Sequence, residues 1–370
     1  MTLIKFSPKL EKYEKLKFWI NKIDKNRYYS NFGPLYKRAT DEIKKDLKLK
    51  KKEVILTSSG DAALYTALLR LRKKTKKNYV ILPSFSFSSD PQSIIRSNFN
   101  PYFIDIDKNS LSINIDDLKN VLRNEKNKIA AILFVSPFGK PLDIRSLNKL
   151  KKQYKVEIIY DAADAYFNFK KNLDEANFLI TLSFHPTKNL PANESGCIIC
   201  NKKEKKIFES IINFGHCNSG ANRKINYIGF NAKFSEYDAA IFLANFFSFK
   251  KNFHNIIKKC KYFKKKFVYS NFSRVIQDFG SNWFSNKICI IYKKEKFISI
   301  KKKFKFYDIE IFSPWGLIPM HKQKIFKKFK KTNMRNTNFI SKHLFAIPLN
   351  IDTSKKKFIK IINTCRKLLK

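Results

Sequence analysis

Between Glu53 and Asp161 short apolar runs alternate with longer amphipathic stretches, and few folds accept that pattern. The runs are Glu53 to Thr57, Tyr79 to Leu82, Pro101 to Ile106, Ile129 to Ser136 and Val156 to Tyr160. Between them lie segments with helical spacing: Ala62 to Leu71, Asp90 to Asn98, Ile115 to Asn124 and Ile144 to Tyr154. In the first of these, Ala63, Ala67 and Leu71, with Leu64 and Leu68, make one buried stripe. Near-continuous apolar strands separated by helices predict an α/β domain built on a mostly parallel sheet. Ligands of such sheets gather beyond the C-terminal ends of the strands. Ser59, Phe87, Asp161 and Lys188 all come just after apolar runs, so they are expected to converge on one site.

The flanks complete the organisation. Residues 1–35 read as an N-terminal arm, with an amphipathic segment from Leu10 to Ile23 and a turn before Pro34, a residue suited to a first helical turn. A large domain is expected over 36–249. It takes in a helix from Lys202 to Phe214, a polar loop from Gly215 to Asn226 that contains Gly220, and a helix from Glu236 to Phe249. Beyond Lys250 the chain becomes a lysine-rich amphipathic helix, then a strand ending near Tyr292, and it closes with a helix near Lys355 to Leu369. A smaller C-terminal α/β domain is expected there, over 250–370.

The formal net charge of +46 suggests a nucleic-acid partner. Two features argue against a specific one. Phe (36 residues), Lys, Ile and Asn are inflated together while Gly is only 9, the joint skew of an AT-rich coding sequence. The basic residues also spread over the whole length, so only loose, salt-sensitive attraction to polyanions is expected. The start, Met1-Thr2-Leu3-Ile4-Lys5, lacks the long apolar core of an export signal. No apolar run approaches the roughly 18 residues a membrane helix needs. The six cysteines are scattered and read as reduced thiols. These features lead us to expect a cytoplasmic protein without membrane insertion. Cys197-Ile198-Ile199-Cys200 has metal-site spacing but lies on an apparent strand, where side chains three apart face opposite ways. The five histidines show no ligand pattern, and no metal is expected.

Four local features carry chemistry. Ser58-Ser59-Gly60-Asp61 is a small-residue turn entering a helix, which exposes backbone N–H groups at the positive end of the helix dipole. It reads equally as an ordinary N-cap turn. In Pro83-Ser84-Phe85-Ser86-Phe87-Ser88 one aromatic could lie on a ligand ring, or both could be core. Asp161 ends a strand and is followed by small alanines; it suits a protonated ring nitrogen or an N-cap. Lys188 lies in the connection between the runs Phe178 to Ile180 and Cys197 to Cys200. Shielding from water there would lower its pKa toward a usable amine nucleophile. A phosphate cradle, an aromatic, an aspartate and a lysine in that order describe a pyridoxal phosphate (PLP) site.

The chain resembles the DegT/StrS-type nucleotide-sugar aminotransferases, which are fold-type-I PLP enzymes. The resemblance rests on Ser30-Asn31-Phe32-Gly33-Pro34, Ser58-Ser59-Gly60-Asp61-Ala62-Ala63-Leu64, Pro83-Ser84-Phe85-Ser86-Phe87, Asp161-Ala162-Ala163-Asp164-Ala165, Ser183-Phe184-His185-Pro186-Thr187-Lys188-Asn189, Glu194-Ser195-Gly196 and Gly229-Phe230-Asn231-Ala232-Lys233. It implies a fold-type-I PLP-transferase architecture: a large domain on a mostly parallel sheet plus a smaller C-terminal α/β domain. Lys188 would hold PLP covalently and later move a proton between the substrate carbon and the cofactor. Asp161 would pair with the ring nitrogen. Ser59, Gly60, Asp61 and Ser183 would surround the phosphate, and Phe87 would stack on the ring. Asp164 would lie next to the phenolic oxygen. Asn231 would reach the phosphate of a partner subunit in a homodimer, and His185 and Glu194 would lie near the substrate. The implied reaction converts a keto group of a nucleotide-linked sugar to an amine, with glutamate as donor, for surface polysaccharide or glycoconjugate synthesis. Amination of a small non-nucleotide keto compound, or a degenerate PLP fold used for binding or regulation, remain open. The family usually has Thr at Asp61, Gln at Asp164, Gly at Ser195 and Arg at Lys233. The first two substitutions bring carboxylates to the phosphate and to the phenolic oxygen. The last exchanges a bidentate donor for a point charge.

Overall fold

A computed structural model of the chain describes residues 3–141, 143–169, 173–218, 222–267, 270–281, 283–350 and 352–370. Helices α1 (Tyr13–Asn26) and α2 (Pro34–Asp46) precede β1 (Lys52–Thr57). The alternating section follows as α3 (Gly60–Arg72), β2 (Tyr79–Pro83), α4 (Ser89–Arg96), β3 (Asn100–Ile104), α5 (Ile115–Glu125), β4 (Ile129–Val135), α6 (Ile144–Tyr154) and β5 (Glu157–Asp161). Then come β6 (Leu179–Ser183), β7 (Gly196–Asn201), α7 (Lys205–Ile211) and the long α8 (Glu236–Lys266). The remainder is β8 (Ser273–Val275), β9 (Lys287–Tyr292), α9 (Phe297–Phe306), α10 (Arg335–His343), β10 (Leu344–Pro348) and α11 (Lys355–Leu368).

Strands β1 to β7 form one sheet in the order β1-β7-β6-β5-β4-β2-β3. The pairs β2–β3, β2–β4, β4–β5 and β5–β6 are parallel, because a helix or a long connection returns the chain to the same end each time. Strand β7 runs antiparallel to both β6 and β1. The β6–β7 link, residues 184–195, holds no crossover helix, so the chain turns straight back. Alternation sorts side chains onto two faces: Ile158 and Tyr160 enter one core cluster, and Ile159 the other. Cys197 and Cys200 likewise fall in different clusters, as their spacing on a strand requires.

The second sheet, β10-β9-β8, is antiparallel and belongs to the C-terminal part of the chain. Helix α8 opens with a capping box between Ser235 and Asp238 and continues for 31 residues. It crosses the boundary expected between 249 and 250 unbroken, and the lysine-rich helix expected after Lys250 is its second half. Buried Phe249, Phe253, Ile256, Cys260 and Phe263 keep one helical stripe across the composition change. The carboxylate of Glu236, at the start of α8, accepts from the backbone N–H groups of Leu35 (2.7 Å) and Tyr36 (2.9 Å). It caps α2, whose own N-cap Gly33 offers no side chain. Helix α7 is shorter than the expected Lys202–Phe214: Lys202–Glu204 form a separate 3-10 turn, and beyond Ile211 the chain turns away through Phe214 and Gly215, both at positive φ. Gly220 of the following loop lies outside the described residues. Among the described residues no helix is long and apolar enough to cross a membrane.

Candidate active site

The C-terminal ends of β4, β5 and β6 and the start of α3 open onto one cavity of ≈ 640 Å³. Its walls include Ser59, Gly60, Asp61, Phe87, Asp161, Asp164, Ser183, His185, Lys188 and Glu194. Every site residue expected from the sequence except Asn231 is therefore in one place. Asn231 is exposed, and its side-chain oxygen accepts from the Lys233 ammonium at 2.8 Å.

The anion cradle forms where α3 begins. Ser59 is the N-cap: its hydroxyl accepts from Ala62 N–H at 3.0 Å. The first N–H groups of the helix have no intrahelical acceptor and are left for a ligand. A Cβ on Gly60 would lie 2.6 Å from Ser183 Cβ, so only glycine lets the helix start close onto the end of β6. Asp61 does not crowd this cradle. Its carboxylate turns to Arg96, with both oxygens 2.7 Å from one guanidinium nitrogen, and accepts from Ser93 at 3.1 Å. Replacing Arg96 by Leu frees that carboxylate beside the cradle. PLP affinity measured by reconstitution should fall about three- to tenfold at low salt, and the deficit should shrink in about 1 M salt.

Asp161 ends β5 with its accessible part facing the cavity. Burial raises its pKa, while the Lys188 ammonium, Asp90 and the Ala163 N–H (3.0 Å) pull it back down. Lys188 follows the β6 end, and its N–H donates to His185 C=O at 2.8 Å. It is half-buried, less shielded from water than its position between two strands suggests. Asn286 holds this turn from the C-terminal part of the chain, donating to the carbonyls of Thr187 (2.9 Å) and Lys188 (3.3 Å). His185 Nδ1 accepts from Thr187 N–H at 3.2 Å, which puts the imidazole proton on Nε2, 3.2 Å from a Glu194 carboxylate oxygen. Phe87 is 53% exposed on the cavity wall, whereas Phe85 is buried against Phe138 and Trp315. Phe85 is thus a core residue, and Phe87 stands exposed on the cavity wall.

Asp164 is neither a loose charge nor turned away. Its Oδ2 lies 2.8 Å from the Lys287 ammonium and its Oδ1 accepts from Asn189 N–H at 2.9 Å. Lys287 begins β9 and also donates to the Asn286 side chain at 2.8 Å. This ion pair joins the two parts of the chain at the cavity wall. Lys287, with Phe312 and Trp315, was missed from sequence. The only local signal was Phe312-Ser313-Pro314-Trp315, two aromatics at a proline turn in a segment without clear periodicity.

The residues present fit PLP. The cradle that a Cβ on Gly60 would fill suits a phosphate, and the carboxylate at the sheet edge suits a ring N–H. The half-buried amine suits covalent attachment, and an exposed aromatic stands ready for the ring. The fold is the fold-type-I PLP-transferase architecture, and these contacts are compatible with its cofactor.

The chain belongs to the DegT/DnrJ/EryC1/StrS aminotransferase family, whose sequence pattern matches residues 13–366. It is 31% identical over 239 residues, 63% of this chain and 61% of the relative, to a dTDP-4-amino-4,6-dideoxy-D-glucose transaminase of Shigella dysenteriae. It is 27% identical over 212 residues, 55% of this chain and 57% of the relative, to a GDP-perosamine synthase of Escherichia coli O157:H7. The chain thus spans less than two thirds of the length of these curated relatives. A DegT DnrJ EryC1 StrS aminotransferase from Brucella abortus shares the fold, with a TM-score of 0.84 at 18% identity, covering 96% of this chain and 95% of that one.

Proposed function

We propose that this protein is a PLP-dependent aminotransferase that converts a keto group of a nucleotide-linked sugar to an amine, with glutamate as donor. The observation that carries the reading is the joint opening of Lys188, Asp161 and the Gly60–Ser183 cradle onto one cavity. The names of the Shigella and Escherichia relatives support a nucleotide-linked sugar as substrate.

Gly60, Ser183 and the start of α3 would hold the phosphate, Phe87 the ring face, Asp161 the ring N–H and Lys188 the covalent link. When bound, PLP supplies an electron sink for the bonds to the carbon bearing the amine. Asp161 would hold a proton on the ring nitrogen and so keep that sink effective. The Lys188 amine, once free of its covalent link, would take the proton from the donor's α-carbon and hold it for return. In the second half-reaction it would deliver a proton to the sugar carbon. The two half-reactions alternate, so ping-pong kinetics are expected. His185 Nε2 and Glu194, which line the same cavity, would serve as polar contacts for the substrate. In a homodimer, Asn231 would reach the partner's phosphate. The protein would act in the cytoplasm and serve surface polysaccharide or glycoconjugate synthesis.

Two incubations with PLP and glutamate test the substrate class: one with a nucleotide-linked keto sugar, one with the same keto sugar lacking the nucleotide. Amine formation, read by mass spectrometry, is expected with the first and at least about tenfold slower with the second, since the nucleotide supplies remote binding energy. Equal rates would assign the protein to small keto substrates. No amine from either, with PLP bound, would leave the degenerate-fold reading.

A further inference from the structure

We propose that Asp90 is a neutral carboxylic acid whose hydroxyl donates to Asp161, making it a positioning residue that keeps the ring-nitrogen partner ionised and correctly aimed. This rests on the role assigned to Asp161 above. The sequence points to Asp90 only as the start of a helix, and indeed it lies in the first turn of α4. That position does not account for its side chain. Asp90 is fully buried, at 0% exposure, and neither carboxyl oxygen has a well-directed donor among the described residues. Its polar neighbours are the Ser86 hydroxyl and the Asp161 carboxylate, with the Lys188 ammonium also acting on it.

A buried carboxylate facing a second carboxylate is far costlier than a buried carboxylic acid. Two adjacent carboxyls cannot both ionise, so they share one proton. Asp90 is the one that keeps it. Burial, and then the Asp161 charge, push its pKa well above the ordinary carboxylate range, against the weaker pull of the Ser86 hydroxyl and the Lys188 ammonium. Asp161 also sits above that range through burial, but the Lys188 ammonium, Asp90 and the Ala163 N–H all favour its charged form. The protonated Asp90 hydroxyl therefore points to Asp161, and one lone pair of Asp161 is taken from inside the protein. The cavity-facing side is left for a ring N–H. Helix α4 thus serves the site twice, through Asp90 at Asp161 and through Ser93 and Arg96 at Asp61.

Infrared difference spectra of the apoprotein at neutral pH, taken in light and heavy water, read the proton directly and need no cofactor. The expected result is a protonated carboxylic-acid carbonyl band that moves on carbon-13 labelling of aspartate and disappears in Asp90→Asn. No such band in the wild type, a band unmoved by the label, or a band that persists in Asp90→Asn would overturn the proposal. Reconstitution with PLP gives the second reading. Asp90→Asn keeps a donor toward Asp161 and should bind PLP within about threefold of wild type. Asp90→Leu keeps the bulk without the donor and should bind at least about tenfold more weakly. Equal losses in the two variants would contradict the positioning role, and if Asp90→Leu does not fold the infrared result decides. A protein that shows the band but never binds PLP would refute the function, not the shared proton.

Discussion

Lys188→Ala is expected to abolish turnover, lowering the rate by at least about 10²–10⁴-fold, the usual contribution of a positioned proton carrier. Two roles are lost together: the covalent hold on PLP and the base that moves the substrate proton. The fold should survive. Lys188 is half-buried, and its turn is held by backbone atoms, with Asn286 donating to the carbonyls of Thr187 and Lys188. The variant should therefore keep its circular-dichroism spectrum and still bind PLP non-covalently through the Gly60–Ser183 cradle. It should lack the visible band of lysine-bound cofactor, and borohydride should no longer fix PLP to the chain. Turnover within tenfold of wild type would move the chemistry to another amine, with Lys287 the first to examine because it lines the same cavity.

The largest stability effect is expected from Lys287→Met. The Lys287–Asp164 pair is 10% and 8% exposed at its two side chains, so each charge has little water to fall back on. Removing the ammonium strands a buried carboxylate that retains, among the described residues, only the Asn189 N–H, at a cost of about 3–5 kcal/mol. A lowered urea midpoint with intact secondary structure checks this. The double variant Asp164→Leu with Lys287→Met should lose clearly less than the sum of the single losses, because no charge is left unpaired. Additive losses would show that the two residues act independently. The pair also explains how an aspartate is tolerated where the family usually has Gln. The chain brings its own cation from β9 to the same wall.

What could be read from sequence was whatever strand ends report. Asp161 and Lys188 stand directly after apolar runs, and a parallel sheet sends such residues to one edge, so their convergence followed from local pattern alone. Ser59 and Gly60 were legible for the same reason, as a small turn between a strand and a helix. The antiparallel course of β7 was not, because an apolar run such as Cys197 to Cys200 looks alike in either direction. The composition change at 249/250 hides the continuity of helix α8, although the apolar period runs on through Phe253, Ile256 and Phe263. Asp164 and Lys287 are 123 positions apart, and nothing local marks either as the other's partner. Asp90 was hidden by a commoner use of aspartate, the first turn of a helix.

The most direct test is the absorption spectrum of the purified protein reconstituted with PLP and titrated with L-glutamate. A visible band that borohydride fixes to Lys188, and that glutamate shifts as the amino group is taken up, is the predicted result. A protein that folds, takes up PLP and shows no such band, or a band that glutamate leaves untouched while Lys188→Ala retains it, would contradict the assignment of Lys188 and with it the aminotransferase reading.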